Sequence, residues 1–193
     1  MDINCIKNYI YTYKESLSQE LCKDIINLFE QEKNVPGTTR RGFTPTIKNT
    51  MDFDILNCHS NNNWTAITKL LHAEIQRHFI IYKELTFNLF SNTKFSVSEM
   101  NIQKYNNNDG FYKYHVDELI DYTNNKSRTL VFMWYLNDIV DGGETEFWEQ
   151  YRIKPETGKF VFFPATWTFP HTALPPLSCN KYIITGWLWN HSS

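Results

Sequence analysis

His115-Val116-Asp117, followed by His171 and then Lys181, supplies the residue types from which a metal-centred reaction can be built. Two imidazoles and one carboxylate can hold a divalent metal from one side and leave coordination positions open, the arrangement that suits non-haem Fe(II). Lys181 adds a positive charge beyond the second histidine, where a dicarboxylate co-substrate could anchor. If the four residues converge, the chemistry is that of an oxygenase. Taken alone they leave iron and zinc both open, and a dicarboxylate and any other anion both open. A His-x-Asp triplet is common by chance, and a lone histidine is more often structural than ligating.

The elements that must position these residues can be read from the hydrophobic pattern. From about residue 94, short runs rich in Phe, Tyr, Val, Ile and Trp alternate with turn signals such as Asn108-Asp109-Gly110, Asp141-Gly142-Gly143 and Pro155-Glu156-Thr157-Gly158. Strands are expected near 94–105, 111–116, 129–136, 145–148, 159–163 and 181–189. Residues two apart on a strand share a face, so His115 and Asp117 can meet at one metal. By the same rule Lys181 shares a face with Trp187, and a buried lysine there needs a partner such as a bound carboxylate, helped by a phenol such as Tyr135. Before the strands, Ser16-Leu17-Ser18-Gln19 offers caps for a helix carrying Leu21, Ile25, Leu28 and Phe29 and ending near Lys33. A second helix is expected from Asn62 to Trp64 onward, with Ile67, Leu70, Leu71, Ile75 and Phe79 as its apolar face. The stretch between the helices reads as loop with one or two short strands. The fold class that follows is α+β, a double-stranded β-helix (jelly roll) with N-terminal helices packed on one sheet. The expected organisation is a single domain over 1–193, with helical support in 1–93 and the jelly roll in 94–193.

Bulk properties narrow the function classes. A charged fraction of 21% beside 41% hydrophobic residues is globular rather than disordered. A net charge of −2 counts against a dedicated nucleic-acid partner. No apolar run reaches the roughly 18 residues of a membrane span. Cys5, Cys22, Cys58 and Cys179 fit no metal or redox spacing and read as free thiols. The start Met1-Asp2-Ile3-Asn4 has no basic stretch before an apolar one, so a cytoplasmic protein is expected. The Asn, Ile, Lys and Tyr bias points to a microbial or viral source.

Five blocks carry a family resemblance: Tyr105–Asp117 (YNNNDGFYKYHVD), Arg128–Asp138 (RTLVFMWYLND), Gly142–Phe147 (GGETEF), Ile153–Phe163 (IKPETGKFVFF), and His171 through Lys181 to Trp189. Over about residues 95–190 the chain resembles the 2-oxoglutarate and Fe(II)-dependent dioxygenases of the prolyl 4-hydroxylase type. The resemblance implies Fe(II) held by His115, Asp117 and His171, with 2-oxoglutarate as co-substrate, O2 as oxidant and ascorbate as a reductant. It implies that Lys181 binds the distal carboxylate of 2-oxoglutarate beside the Tyr135 hydroxyl, and that Tyr105 lines that pocket with Thr145 and Thr185. Tyr112, Arg128 and Trp187 match positions near the substrate, Trp187 counting also with the co-substrate lining. Two departures concern substrate handling. Lys48-Asn49-Thr50 stands for an Arg-x-Ser element, and Trp189 stands where a histidine is frequent.

The implied reaction is hydroxylation of a C–H bond with release of succinate and CO2, on a prolyl residue of a peptide or protein. The same chemistry on a free amino acid, another side chain or a nucleic-acid base is the alternative. A non-catalytic jelly-roll binding module is a third reading, against which the intact triad with Lys181 counts. The polar segment Glu118–Lys126, directly after Asp117, is expected to be a mobile lid.

Overall fold

A computed structural model of the chain describes residues 7–58, 62–86, 88 and 94–191. After a 3-10 turn at Lys7–Tyr9 come β1 (Tyr11–Tyr13), α1 (Gln19–Gln31), β2 (Val35–Pro36), β3 (Lys48–Asn49), β4 (Met51–Asp54) and α2 (Asn62–Leu85). The second half runs β5 (Phe95–Tyr105), β6 (Phe111–His115), β7 (Ile120–Asp121), β8 (Lys126–Tyr135), β9 (Thr145–Phe147), β10 (Tyr151–Ile153), β11 (Phe160–Pro164), β12 (His171–Ala173) and β13 (Lys181–His191). Two antiparallel sheets result. The larger has the order β1-β11-β8-β13-β5-β4-β2, with β7 paired to β8; the smaller has the order β10-β9-β12-β6-β3. This is the jelly roll with helices on one sheet that the sequence pattern predicts.

Strand alternation builds two cores from the same residues' neighbours. On β8, Leu130, Phe132 and Trp134 pack toward the helices, while Val131, Met133 and Tyr135 pack between the sheets. β11 repeats this with Phe160 and Phe162 against Val161 and Phe163. On β13, Tyr182, Ile184 and Leu188 meet the helices, while Ile183 joins the inter-sheet core beside the buried Lys181. A sheet covered on both faces reads as near-continuous apolar runs, which is what these strands show.

The helices are tied to the sheet by specific contacts. Ser18 caps α1, its Oγ accepting from Leu21 N at 3.2 Å. The Tyr182 hydroxyl on β13 donates to Glu30 Oε1 of α1 at 2.5 Å, and Lys104 of β5 pairs with the same carboxylate at 2.8 Å. The Trp64 indole of α2 donates to Glu32 Oε1 at 2.8 Å. Along α2 the buried positions are Trp64, Ile67, Leu71, Ile75, His78 and Tyr82, a stripe with steps of three and four.

Several sequence expectations shift. Leu70 is 42% exposed, because it lies about 100° round the helix from Leu71 and falls off the stripe; His78 holds a stripe position that hydrophobicity does not mark. The stretch between the helices forms three short strands, β2, β3 and β4, which extend both sheets. β1, β7, β10 and β12, of two or three residues each, are too short to show a period. β6 stops at His115, so Asp117 reaches the site from the following loop rather than from a strand. Glu118–Lys126 forms the tip of a hairpin, with Asp121 Oδ1 accepting from Thr123 N and Asn124 N at 3.1 Å each. Cys22 and Cys179 are free thiols, and Cys5 lies outside the described residues. Among the described residues no helix is long and apolar enough to cross a membrane.

Gly158 pins the N-terminal segment to the jelly roll. Its carbonyl accepts from Ser16 N and Leu17 N, its φ is +75°, and a Cβ there would stand 2.1 Å from Leu17 O. Gly158→Ala is therefore expected to cost about 2 kcal/mol or more from the left-handed backbone and the clash. In thermal unfolding this should appear as a Tm lowered by about 5 °C or more.

Candidate metal centre and cavity

The smaller sheet brings the two histidines together by register. β12 lies between β6 and β9, and His171 is paired with His115 on one side and Phe147 on the other. The two imidazole centroids are 4.3 Å apart. Each ring has its Nδ1 at a backbone carbonyl two residues earlier, His115 at Lys113 O (2.8 Å) and His171 at Phe169 O (3.1 Å). A carbonyl only accepts, so each Nδ1 carries the proton and each Nε2 is left as a lone pair. Asp117 Oδ2 lies 3.4 Å from His171 Nε2, and one ligand atom from each of His115, Asp117 and His171 falls within 4.8 Å of the others. Burial and the neighbouring His171 push His115 down to about 4, so it is neutral near pH 7, the form that ligates. Two tautomer-locked imidazoles and a carboxylate fit Fe(II) with open coordination positions.

The triad opens into a cavity of about 420 Å³. Lys181 lies inside it and is 1% exposed. Its Nζ donates to Gly143 O at 2.9 Å and stands 4.1 Å from the Tyr105 ring centroid. Gly142 and Gly143 both have positive φ, +70° and +75°, and that turn delivers the Gly143 carbonyl to the amine. Burial pulls Lys181 down to about 7, with Glu144 acting in the opposite sense. A dianionic ligand would restore its charge. Thr145 lines the cavity, and its Oγ1 accepts from the Tyr135 hydroxyl at 2.7 Å. That bond leaves the Thr145 hydroxyl hydrogen free for an acceptor in the cavity.

Of the sequence-predicted residues, His115, Asp117, His171, Lys181, Tyr105, Thr145, Thr185, Trp187, Tyr112, Arg128 and Lys48 all line this cavity. Tyr135 and Trp189 do not line it. The Tyr135 hydroxyl donates to Thr145 Oγ1 at 2.7 Å and lies 3.4 Å from Ile153 O, so it meets the cavity lining through Thr145. Trp189 is 2% exposed; the register of β13 against β8 shifts between Leu188 and Trp189, which takes it out of the alternation that puts Trp187 in the cavity.

Tyr112 stacks on His115, with centroids 3.6 Å apart and planes at 14°. Arg128 covers Trp187 at 3.5 Å and donates to Glu99 Oε2 at 2.6 Å. Sequence reasoning missed Glu99, Gln103 and Asp52, which also line the cavity. Gln103 could have been found, because it alternates with Tyr105 on β5. Asp52 lies on a four-residue strand inside a loop-like stretch and gives no such signal.

Residues 100–189 match the 2OG-Fe(II) oxygenase superfamily. No curated protein matches the chain by sequence. The fold is shared with solved prolyl hydroxylases of low identity. A viral collagen prolyl hydroxylase from Paramecium bursaria Chlorella virus-1, in a 2OG complex, aligns with TM-score 0.67 and 20% identity over 96% of this chain and 98% of that one. A Trichoplax adhaerens prolyl hydroxylase, in complex with a hypoxia inducible factor oxygen degradation domain peptide fragment, gives 0.74 and 16% over 96% and 85%. A Pseudomonas putida prolyl-4-hydroxylase gives 0.68 and 17% over 93% and 91%.

The Lys181 amine makes the stability of the ligand-free protein depend on pH. Its folded pKa is about 7 against an ordinary 10.5, so between those values the unfolded chain binds more protons. Stability from this group therefore rises as pH increases from about 7 toward 10. Denaturant titrations at pH 7 and pH 9 should show that rise in the native chain and a smaller one in Lys181→Met.

Proposed function

We propose that this chain, a 2-oxoglutarate-dependent dioxygenase by its family match over residues 100–189, hydroxylates a prolyl residue in a peptide or protein. The observation that carries the substrate is the aromatic slot beside the triad, with Tyr112 stacked on His115 and Trp187 beneath Arg128. A pyrrolidine ring is compact and apolar and suits such walls. Among the described residues, Trp187 Nε1 and Arg128 Nε are buried without hydrogen-bond partners, and buried donors call for acceptors. A peptide carbonyl is an acceptor of the right kind. The peptide-bound state of the Trichoplax adhaerens prolyl hydroxylase supports the same reading.

Bound Fe(II) would supply the reaction of O2 with 2-oxoglutarate that yields succinate and CO2 and places one oxygen atom in a substrate C–H bond. His115, Asp117 and His171 would hold the metal, the two Nε2 lone pairs of the histidines being aimed by the Lys113 and Phe169 carbonyls. Lys181 turns its ammonium from Gly143 O to the distal carboxylate of 2-oxoglutarate, and the free Thr145 hydroxyl hydrogen assists. Val131, Met133, Phe163 and Ile183 line the inner cavity and keep water from the reacting centre. Ascorbate is the expected reductant when turnover leaves the metal oxidised.

The test is a mass-spectrometric search for the gain of one oxygen atom in proline-containing peptides, with and without 2-oxoglutarate. Oxygen gain should require 2-oxoglutarate and be matched by succinate. His171→Ala should abolish both products. His191→Ala should keep them, because His191 is exposed and bonds Ser96 Oγ at 2.6 Å near the far end of β13. Lys181→Ala should raise the KM for 2-oxoglutarate by about 10- to 100-fold, through loss of a charge-assisted contact. Succinate formation with no oxygen gain in any prolyl peptide would redirect the search to other substrates.

A further inference from the structure

Lys48 and Asp52 lie on β3 and β4, the short strands that bring the smaller and larger sheets together at the cavity wall. Lys48 Nζ donates to Asp52 Oδ2 at 2.5 Å, with side chains only 5% and 16% exposed. Both residues line the cavity. Lys48 Nζ is 5.5 Å from the centroid of the Tyr112 ring, and that ring stacks on His115, so the ion pair sits one aromatic ring away from a metal ligand.

Asp52 organises more than the lysine. Its Oδ1 accepts from Thr50 Oγ1 at 2.7 Å and its Oδ2 from Gln103 Nε2 at 3.4 Å. The Tyr105 hydroxyl donates to Gln103 Oε1 at 3.0 Å, which links the pair to the ring beneath Lys181. Gly37 closes over the group; a Cβ there would fall 2.1 Å from Thr50 Oγ1 and 3.0 Å from Lys48 Cε and Asp52 Oδ1.

The cavity holds a second matched pair, Arg128 with Glu99 at 2.6 Å. The other inward charges are committed, Lys181 to the co-substrate and Asp117 to the metal in the reading above. Asp54 is turned to Leu56 N and Asn57 Nδ2, and Arg40 is exposed with Nη1 on Glu118 O. A substrate carboxylate approaching Lys48 would meet Asp52, and a substrate ammonium approaching Asp52 would meet Lys48. Either would lose hydration without gaining an open counter-charge.

We infer that Asp52, by pairing with Lys48, is a specificity-determining residue that sets this wall to accept an uncharged stretch of chain beside the reacting residue. The inference rests on the prolyl-peptide reading. It assigns to Asp52 a job separate from iron or 2-oxoglutarate binding: it cancels a cation that would otherwise select acidic neighbours.

The experiment compares three prolyl peptides with alanine, aspartate or lysine on both sides of the proline, read as kcat/KM for oxygen gain. The native chain should favour the alanine peptide over both charged ones by about 10-fold. Asp52→Asn should shift the aspartate-to-alanine ratio upward by about 10-fold, and Lys48→Met should shift the lysine-to-alanine ratio upward by a similar factor. The double variant Lys48→Met/Asp52→Asn should return to the neutral preference. A native chain that uses charged peptides as well as the alanine peptide overturns the inference without needing any variant to fold. So does an equal loss on all three peptides in both single variants, the mark of a brace. No oxygen gain in any peptide by the native chain, with 2-oxoglutarate still binding in the presence of metal, removes the prolyl reading and this inference with it.

Discussion

β12 is three residues long, yet its register decides whether the site exists. His171 must face His115 across one ladder and Phe147 across the other. A slip by one residue would turn every side chain of the strand to the opposite face. The register is held from both flanks. Thr172 Oγ1 donates to Tyr112 O at 2.7 Å, and Phe163 and Phe147 close on the His171 ring with centroids at 4.8 and 5.4 Å. Before the strand, the Trp148 indole donates to Thr168 O at 2.9 Å and anchors the approach. The carbonyls that set the tautomers, Lys113 O and Phe169 O, are part of this backbone, so ligand geometry and protonation follow from one pairing.

The larger sheet solves a different problem. β8, β11 and β13 must serve a helix layer and a cavity at once, and each does so by alternation. The cavity side of β13 carries Lys181 and Thr185 among apolar neighbours, while its other face packs Tyr182, Ile184 and Leu188 against the helices. A lysine at 1% exposure is costly. Part of that cost is offset by the Gly143 carbonyl and the Tyr105 ring; among the described residues no carboxylate pairs with the amine. The result is an amine held near neutrality until an anion arrives. In the proposed reading, local stability is given up here for energy that an arriving carboxylate would return.

Legibility in the sequence tracked strand length and repetition. The long strands β5, β8 and β13 and both helices show a period over many residues, and their bounds differ from the expected ones by at most a few positions. β1, β7, β10 and β12 have two or three residues each and no period to read. His171 nonetheless stood out, because its distance from Lys181 belongs to a family pattern. Asp117 was expected to join His115 by strand alternation; it lies past the end of β6, and the loop brings it beside the two histidines instead. Tyr135 was expected to help Lys181 hold a carboxylate; its hydroxyl is bonded to Thr145, a contact that no pattern in the chain reveals. Asp52 was invisible, because an ion pair between two strands of four residues or fewer exists only once both sheets are assembled.

The two sides of the cavity now differ in their electrostatic logic. Toward Lys181 the wall keeps a single cation that, among the described residues, pairs with no carboxylate, and in the proposed reading a dicarboxylate would be drawn to that imbalance. Toward Tyr112 and Trp187 the cations Lys48 and Arg128 each have their own acid at 2.5 and 2.6 Å, while the exposed Arg40 at the rim has its Nη1 on Glu118 O. An imbalance on both sides would let the dicarboxylate bind in either chamber and block the substrate. Pairing on the outer side removes that competition, because an anion there gains only the residual field of a dipole, which decays faster than that of a charge. Replacing such pairs by apolar groups is often neutral for stability, so what Lys48–Asp52 and Arg128–Glu99 chiefly set is the absence of an open charge on this wall rather than the cohesion of the strands.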